Sequence, residues 1–187
     1  YKRQKKGQVV ETSLTSSLIS LMAYLSAEYF VTDKTPKKSG NDHPILSPYG
    51  LFKTKDGNIA IAPANDKLCE IFLRTLNLEY LLEDDLYKTN SLRMINRDKL
   101  NEIINQTTEL NTTDYWIKKL NESGCPAGKV LDMKEALNDQ LVEDTDMVIV
   151  ADGPDKRKIK MTGFPVKLSD TPAQLFRSPP KLGEHTE

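Results

Sequence analysis

The feature that most limits how this chain can fold is a stretch dense in proline. Residues 32–49 hold Pro36, Gly40, Pro44 and Pro48, with Lys34, Lys37 and Lys38 among them. Proline lacks a backbone N–H and fixes φ, so this density excludes a helix and divides the chain into a part before and a part after. A loop of about 18 residues is uncommon inside a compact domain. Where one occurs it is an ordered functional loop or a connection between domains.

Before the interruption, Leu14, Leu18, Leu21, Met22, Leu25 and Tyr29 recur at steps of three and four, which predicts a helix over residues 9–31. Its other face is rich in Ser and Thr and has no Lys or Arg, so a core helix is expected rather than one lying on a membrane surface. After the interruption, residues 50–54 and 58–62 flank Asp56-Gly57, a hairpin signal because this pair supplies the positive φ values of a tight turn. Helical patterns follow. One starts at Asn65 or Asp66 and carries Leu68, Ile71, Phe72 and Leu76, and a short one covers residues 79–82. Another spans residues 91–105, and a further one is capped by Thr112 or Thr113 and ended by Gly124. Short strands are expected at residues 129–131, 147–151 and 159–161, with a short helix at 133–137, a turn at Asp152-Gly153-Pro154-Asp155 and an extended tail from Thr171. Hairpins and helices in separate blocks, without βαβ alternation, make an α+β fold.

Composition excludes more than it suggests. With 26 basic and 27 acidic residues among 187, the balance points to no nucleic acid and no anionic membrane. The basic run Tyr1-Lys2-Arg3-Gln4-Lys5-Lys6 has no interleaved base-stacking aromatics, and no apolar run reaches 18 residues, so neither nucleic acid nor a transmembrane helix is expected. Cys69 and Cys125 are too few and too far apart for zinc. They are expected to be thiols in a reducing, cytoplasmic setting, with no metal. His43 and His185 have no carboxylate at metal-ligand spacing and read as loop histidines. No P-loop, G-x-S-x-G or G-x-G-x-x-G occurs.

Several short segments, taken in order, resemble one family. Gly7-Gln8-Val9-Val10-Glu11 is similar to the Gly-Gln start of a helix in the family III CoA-transferases. Gly40-Asn41-Asp42-His43-Pro44, then Ser47-Pro48-Tyr49-Gly50-Leu51-Phe52, resembles that family's G-N-x-H-P and P-Y-x-x-F segment, continuing through Lys55-Asp56-Gly57-Asn58. Asp85-Leu86-Tyr87-Lys88-Thr89 with Arg93 and Asn96-Arg97 resembles a further block. So do Gly124-Cys125-Pro126-Ala127-Gly128-Lys129-Val130, residues 165–169, and Pro179-Pro180-Lys181-Leu182-Gly183-Glu184-His185-Thr186.

The resemblance implies the small α+β domain of such an enzyme, with antiparallel hairpins and helices, preceded by one large-domain helix and a linker. The divisions are residues 1–31 for the large-domain helix, 32–48 for the linker, 49–150 for the small domain, and 151–187 for return strands and tail. It implies CoA and acyl-CoA as substrates and a carboxylic acid as acceptor. The catalytic group is an aspartate, which attacks the thioester to form a mixed anhydride that CoA thiolate then opens. In the family that aspartate precedes Gly-Gln, so here it falls before Tyr1 and the chain alone should be inactive. The substrate loop comprises Asn41, Asp42, His43, Ile45, Leu46, Ser47 and Tyr49. Formyl-CoA transferases have a glycine-rich loop near this point, and Pro44-Ile45-Leu46-Ser47-Pro48 departs from it. Asn41 and His43 either fix the loop or line the site, and Tyr49 reads as a packing residue. A racemase-type relative and an inactive remnant of a split gene remain as alternatives. Two chains interlock in the family. The apolar stripe of the first helix, at about 1.5–3 kcal/mol per side chain, also calls for a cover: a second copy, or a missing N-terminal half.

Overall fold

The hairpin forms as expected, but its turn is shifted by one residue. In the computed structural model, which describes residues 5–153, 157–177, 179–184 and 186, β1 (Gly50–Thr54) pairs antiparallel with β2 (Gly57–Ile61), Thr54 opposite Gly57. The turn residues are therefore Lys55 and Asp56, and neither Asp56 nor Gly57 takes a positive φ. Tertiary bonds determine this turn. The Lys55 N–H donates to Asn111 O at 3.0 Å, and Asp56 Oδ1 accepts from the Thr113 N–H at 2.7 Å and the Thr113 hydroxyl at 2.9 Å. These two bonds hold the exposed Asp56 carboxyl below its usual pKa.

One compact unit runs to Lys129 and a second runs from Val130. In the first, β3 (Ala127–Lys129) adds to β2 as the third strand, in the order β1-β2-β3. Alternation along β1 and β2 puts Phe52, Ile59 and Ile61 on the buried face. Against it pack α3 (Asp66–Thr75), a 3-10 turn at Glu79–Leu82, α5 (Arg97–Thr108) and α6 (Thr113–Glu122), which contribute Phe72, Leu73, Leu81, Leu100, Ile104, Trp116 and Leu120. Capping is as the sequence indicates. Asn65 Oδ1 accepts from the Leu68 N–H at 2.9 Å, and Thr112 Oγ1 from the Tyr115 N–H at 3.3 Å. Past α6, Gly124 has φ +86°, the Cys125 N–H reaches Leu120 O and the Gly124 N–H reaches Asn121 O, which is a Schellman ending.

Two expected helices are each divided. Residues 91–105 form α4 (Asn90–Ile95) and α5, with a break at Asn96, whose side-chain amide and backbone N–H both donate to Leu92 O at 3.0 Å. Residues 9–31 form α1 (Leu14–Leu21) and α2 (Ala23–Thr32), bent by 71° at Ala23, whose φ is +44°. Side chain-to-backbone bonds occur here too: Ser17 Oγ donates to Ser13 O at 2.9 Å and Ser26 Oγ to Ala23 O at 2.7 Å. The stripe expected in a core stands exposed at Leu14, Leu18, Leu21, Met22 and Tyr29, and only Leu25 is half-buried. No single helix among the described residues is long and apolar enough to cross a membrane, although the bent pair would suffice by length and composition.

The second unit is smaller. α7 (Met133–Leu137) carries a capping box of Asp132 and Glu135, α8 (Gln140–Asp144) follows, and β4 (Val148–Asp152) pairs antiparallel with β5 (Lys158–Thr162). The third short strand is thus residues 127–129 rather than 129–131, placed by its pairing with Ile59–Ile61. In the tail, the described residues from Thr171 on form neither helix nor strand. The start of the basic run (Tyr1 to Gln4), part of the 152–155 turn (Pro154 and Asp155) and His185 lie outside the described residues.

Phe72 and Leu120 have no exposed surface, so Phe72→Ala should destabilise the chain by about 3–5 kcal/mol and Leu120→Ala by about 2–5 kcal/mol in urea titration. Leu14→Ala, on the exposed stripe, should change stability by less than about 0.5 kcal/mol.

Candidate functional site

All seven residues of the expected substrate loop lie together, beside the start of β1. The loop has a donor shortage built into its sequence, because Pro44 and Pro48 lack N–H groups while every residue contributes a carbonyl. The His43 N–H donates to Tyr49 O at 2.8 Å, closing the loop on itself. The Ile45 N–H donates to His43 Nδ1 at 3.3 Å, which requires a ring that is unprotonated at that nitrogen. The remaining acceptors turn to one helical face.

That face belongs to α4 and α5. Asn90, Arg93 and Arg97 recur at i, i+3 and i+7, so their side chains share one side of the helical pair. Asn90 Nδ2 donates to Ile45 O at 2.9 Å and its Oδ1 accepts from the Ser47 N–H at 3.1 Å. Arg93, 3% exposed, donates from Nε to Ser47 O at 2.6 Å, from Nη1 to Tyr87 O at 3.1 Å, and from Nη2 to Asp66 Oδ1 at 2.6 Å. Arg97 Nη2 donates to His43 O at 2.7 Å and to Leu46 O at 2.9 Å. Thr89 starts this element by capping the Leu92 N–H at 3.3 Å. The sequence reading placed Arg93 and Arg97 in a motif without assigning them a partner. The available signal was three polar donors at helical spacing facing a loop with surplus carbonyls.

The other loop residues are placed as follows. The His43 ring lies between Tyr24 (centroids 5.8 Å apart, 6° between planes) and Tyr49 (4.7 Å, 28°). Burial first, and then the Arg97 charge, push the His43 pKa below its ordinary 6.5. Asp42 sits against Gly50, where an added Cβ would lie 3.1 Å from Asp42 Cα and inside contact distance of its Oδ1, so this approach needs glycine. Asn101 Nδ2 reaches the Asp42 carboxylate at 3.4 Å. Asn41 and Tyr49 line a shallow groove of about 360 Å³ over the outer face of the sheet, with Leu51, Ala60 and Gly128. Ile45 is exposed, Leu46 half-buried and Ser47 buried. Ser47 Oγ and Arg97 Nε are buried without a hydrogen-bond partner. Cys69 and Cys125 are free thiols in the core, each pushed up to about 11 by burial, and so are inert at neutral pH.

A family model described as CoA-transferase family III matches residues 1–186. The chain is 32% identical over 181 residues to the succinyl-CoA:glutarate CoA-transferase of Homo sapiens, covering 97% of this chain and 41% of that protein. It is 28% identical over 188 residues to a succinate–glutarate CoA-transferase of Agrobacterium fabrum, covering 98% and 46%. Among solved structures, a CAIB/BAIF family protein from Brucella suis aligns with TM-score 0.74 at 28% identity, over 98% of this chain and 47% of that one. A Mycobacterium tuberculosis protein aligns with TM-score 0.79 at 20% identity over 99% and 48%, a likeness of fold. The chain spans less than half the length of these relatives.

Arg93→Met leaves two carbonyls without their charged donor and should cost about 2–5 kcal/mol in urea titration. Asp66→Asn should cost less than about 1 kcal/mol, because the Asp66 side chain is 82% exposed and its pair with Arg93 is screened on that side. The lowered His43 pKa means the folded chain binds fewer protons there than the unfolded chain. Its contribution is complete above 6.5 and is lost as pH falls through the lowered folded value. The His43 ring should titrate below 6.5 by NMR, and exchange of the Ile45 amide should accelerate through the same window.

Proposed function

The chain belongs to CoA-transferase family III, and we propose that it supplies the substrate loop of an acyl-CoA:carboxylate CoA-transferase whose nucleophile is an aspartate outside residues 1–187. The observation that carries this reading is the match of the family model along residues 1–186, with transferases among the relatives. The names of the human and Agrobacterium relatives point to short dicarboxylic acids as donor and acceptor acyl groups.

The acidic residues beside the loop accept structural hydrogen bonds: Asp42 from Asn101, Asp66 from Arg93 and Asp56 from the start of α6. The loop's role in this reading is to cover the acyl group while the aspartate attacks the thioester, releasing CoA thiolate and forming an acyl anhydride, and CoA thiolate then attacks the aspartyl carbonyl, releasing the donor carboxylate and forming an enzyme thioester. The acceptor acid reverses these steps.

The exposed face of α1 and α2 fits the same reading. Leu14 at 86%, Leu21 at 77% and Phe30 at 80% exposure form a surface that needs covering. The proposed cover is the half of the protein that holds the nucleophile, with a second copy as the other candidate, as in an interlocked dimer.

The 187-residue chain assayed alone with succinyl-CoA and glutarate should produce no glutaryl-CoA by liquid chromatography. Adding a separately expressed N-terminal half should restore turnover. Turnover by the chain alone would place the nucleophile within it, and α-proton exchange without acyl transfer would favour a racemase. A monodisperse monomer in light scattering, with α1 accessible to solvent labels, would sink the requirement for a cover.

A further inference from the structure

One nitrogen bridges the two sides of the loop's bend at Pro44 and Ile45. Arg97 Nη2 contacts both His43 O and Leu46 O, which bracket Pro44 and Ile45. Met94 Sδ also lies 2.6 Å from this nitrogen, but a thioether is a weak acceptor, so the carbonyls hold the guanidinium. Its Nε is buried and unpartnered.

Of the two residues between the anchors, only Ile45 has an N–H to engage. Ile45 has its N–H on His43 Nδ1 and its carbonyl on Asn90 Nδ2, so its backbone is fully engaged. Its side chain is 39% exposed. An apolar side chain on a backbone held at both ends can make a defined contact with hydrocarbon without itself holding the loop. We propose that Arg97 is a positioning residue: by gathering the carbonyls of His43 and Leu46 it presents Ile45 to the methylene portion of the carboxylic acid substrate. The functional half of this statement rests on residues 41–49 being a substrate loop, whereas the positioning half rests on geometry alone.

The test separates the two halves. In the full chain, Arg97→Gln should speed amide exchange at Ile45 and Ser47 by about tenfold, the size of one lost charged hydrogen bond, and leave Phe52 and Ile59 unchanged. Arg97→Lys, which keeps a cationic donor, should return most of the protection. Unchanged exchange at Ile45 and Ser47, or equal acceleration at Phe52 and Ile59, overturns positioning. Should Arg97→Gln fail to fold, wild-type NMR decides. Slowly exchanging Arg97 Nη protons with contacts to residues 43–46 are expected, and their absence overturns it. In the assembled transferase, Arg97→Gln and Ile45→Ala should each raise KM for the acceptor acid severalfold with kcat less affected. Loosened exchange with unchanged KM would overturn the substrate role and leave positioning standing. Absence of transfer even in wild type would count against the proposed function and not against Arg97.

Discussion

The guanidinium of Arg93 is the point on which the placement of residues 41–49 depends. It is nearly fully buried, yet its three bonds go to three separate parts of the chain: the loop at Ser47, the backbone before α4 at Tyr87, and the first turn of α3 at Asp66. A buried cation is tolerated only when its donors are satisfied. Here carbonyl oxygens do most of that work, because the carboxylate partner is largely in solvent. The guanidinium fork is rigid and planar, so the directions of its donors determine where each of the three segments can lie.

From that point the loop follows as a matter of hydrogen-bond supply. Prolines at 44 and 48 remove donors from the loop, and a helix face with Asn90, Arg93 and Arg97 provides them. The loop carries little regular structure but has many side chain-to-backbone bonds. It is therefore ordered by side-chain donors without a core of its own. The exposed apolar helices α1 and α2 are a different case. There, caps and ladders are local, Tyr24 stacks on His43 of the loop, and the stripe has no partner in the first unit's core.

Much of the fold was readable from the sequence for a local reason. Asn65 and Thr112 cap helices through bonds to the third residue on, and Gly124 ends α6 through bonds within its last turn. Of the stripe through Leu68, Ile71, Phe72 and Leu76, Phe72 and Leu76 lie in the core and Ile71 packs against it, while Cys69 and Leu73 rather than Leu68 complete the buried face. The same local logic missed two interruptions, at Asn96 in one expected helix and at Ala23 in another, each accompanied by side chain-to-backbone bonds. The turn at Lys55-Asp56 was misplaced by one residue because Asp56 is used by Thr113, 57 residues away.

By itself the sequence determined several helix caps and ends, which faces are apolar, and that residues 33–49 could be neither helix nor inner strand. Each of these depends on neighbours a few residues apart. It also contained the family's ordered segments, which a single family model now spans. The tertiary structure decided how Asn90, Arg93 and Arg97 hold the loop, because their partners in it lie 43 to 54 residues distant and no local spacing names them. It also decided that the stripe on α1 is exposed. Periodicity reports that a face is apolar, and only packing reports whether anything within the chain covers it.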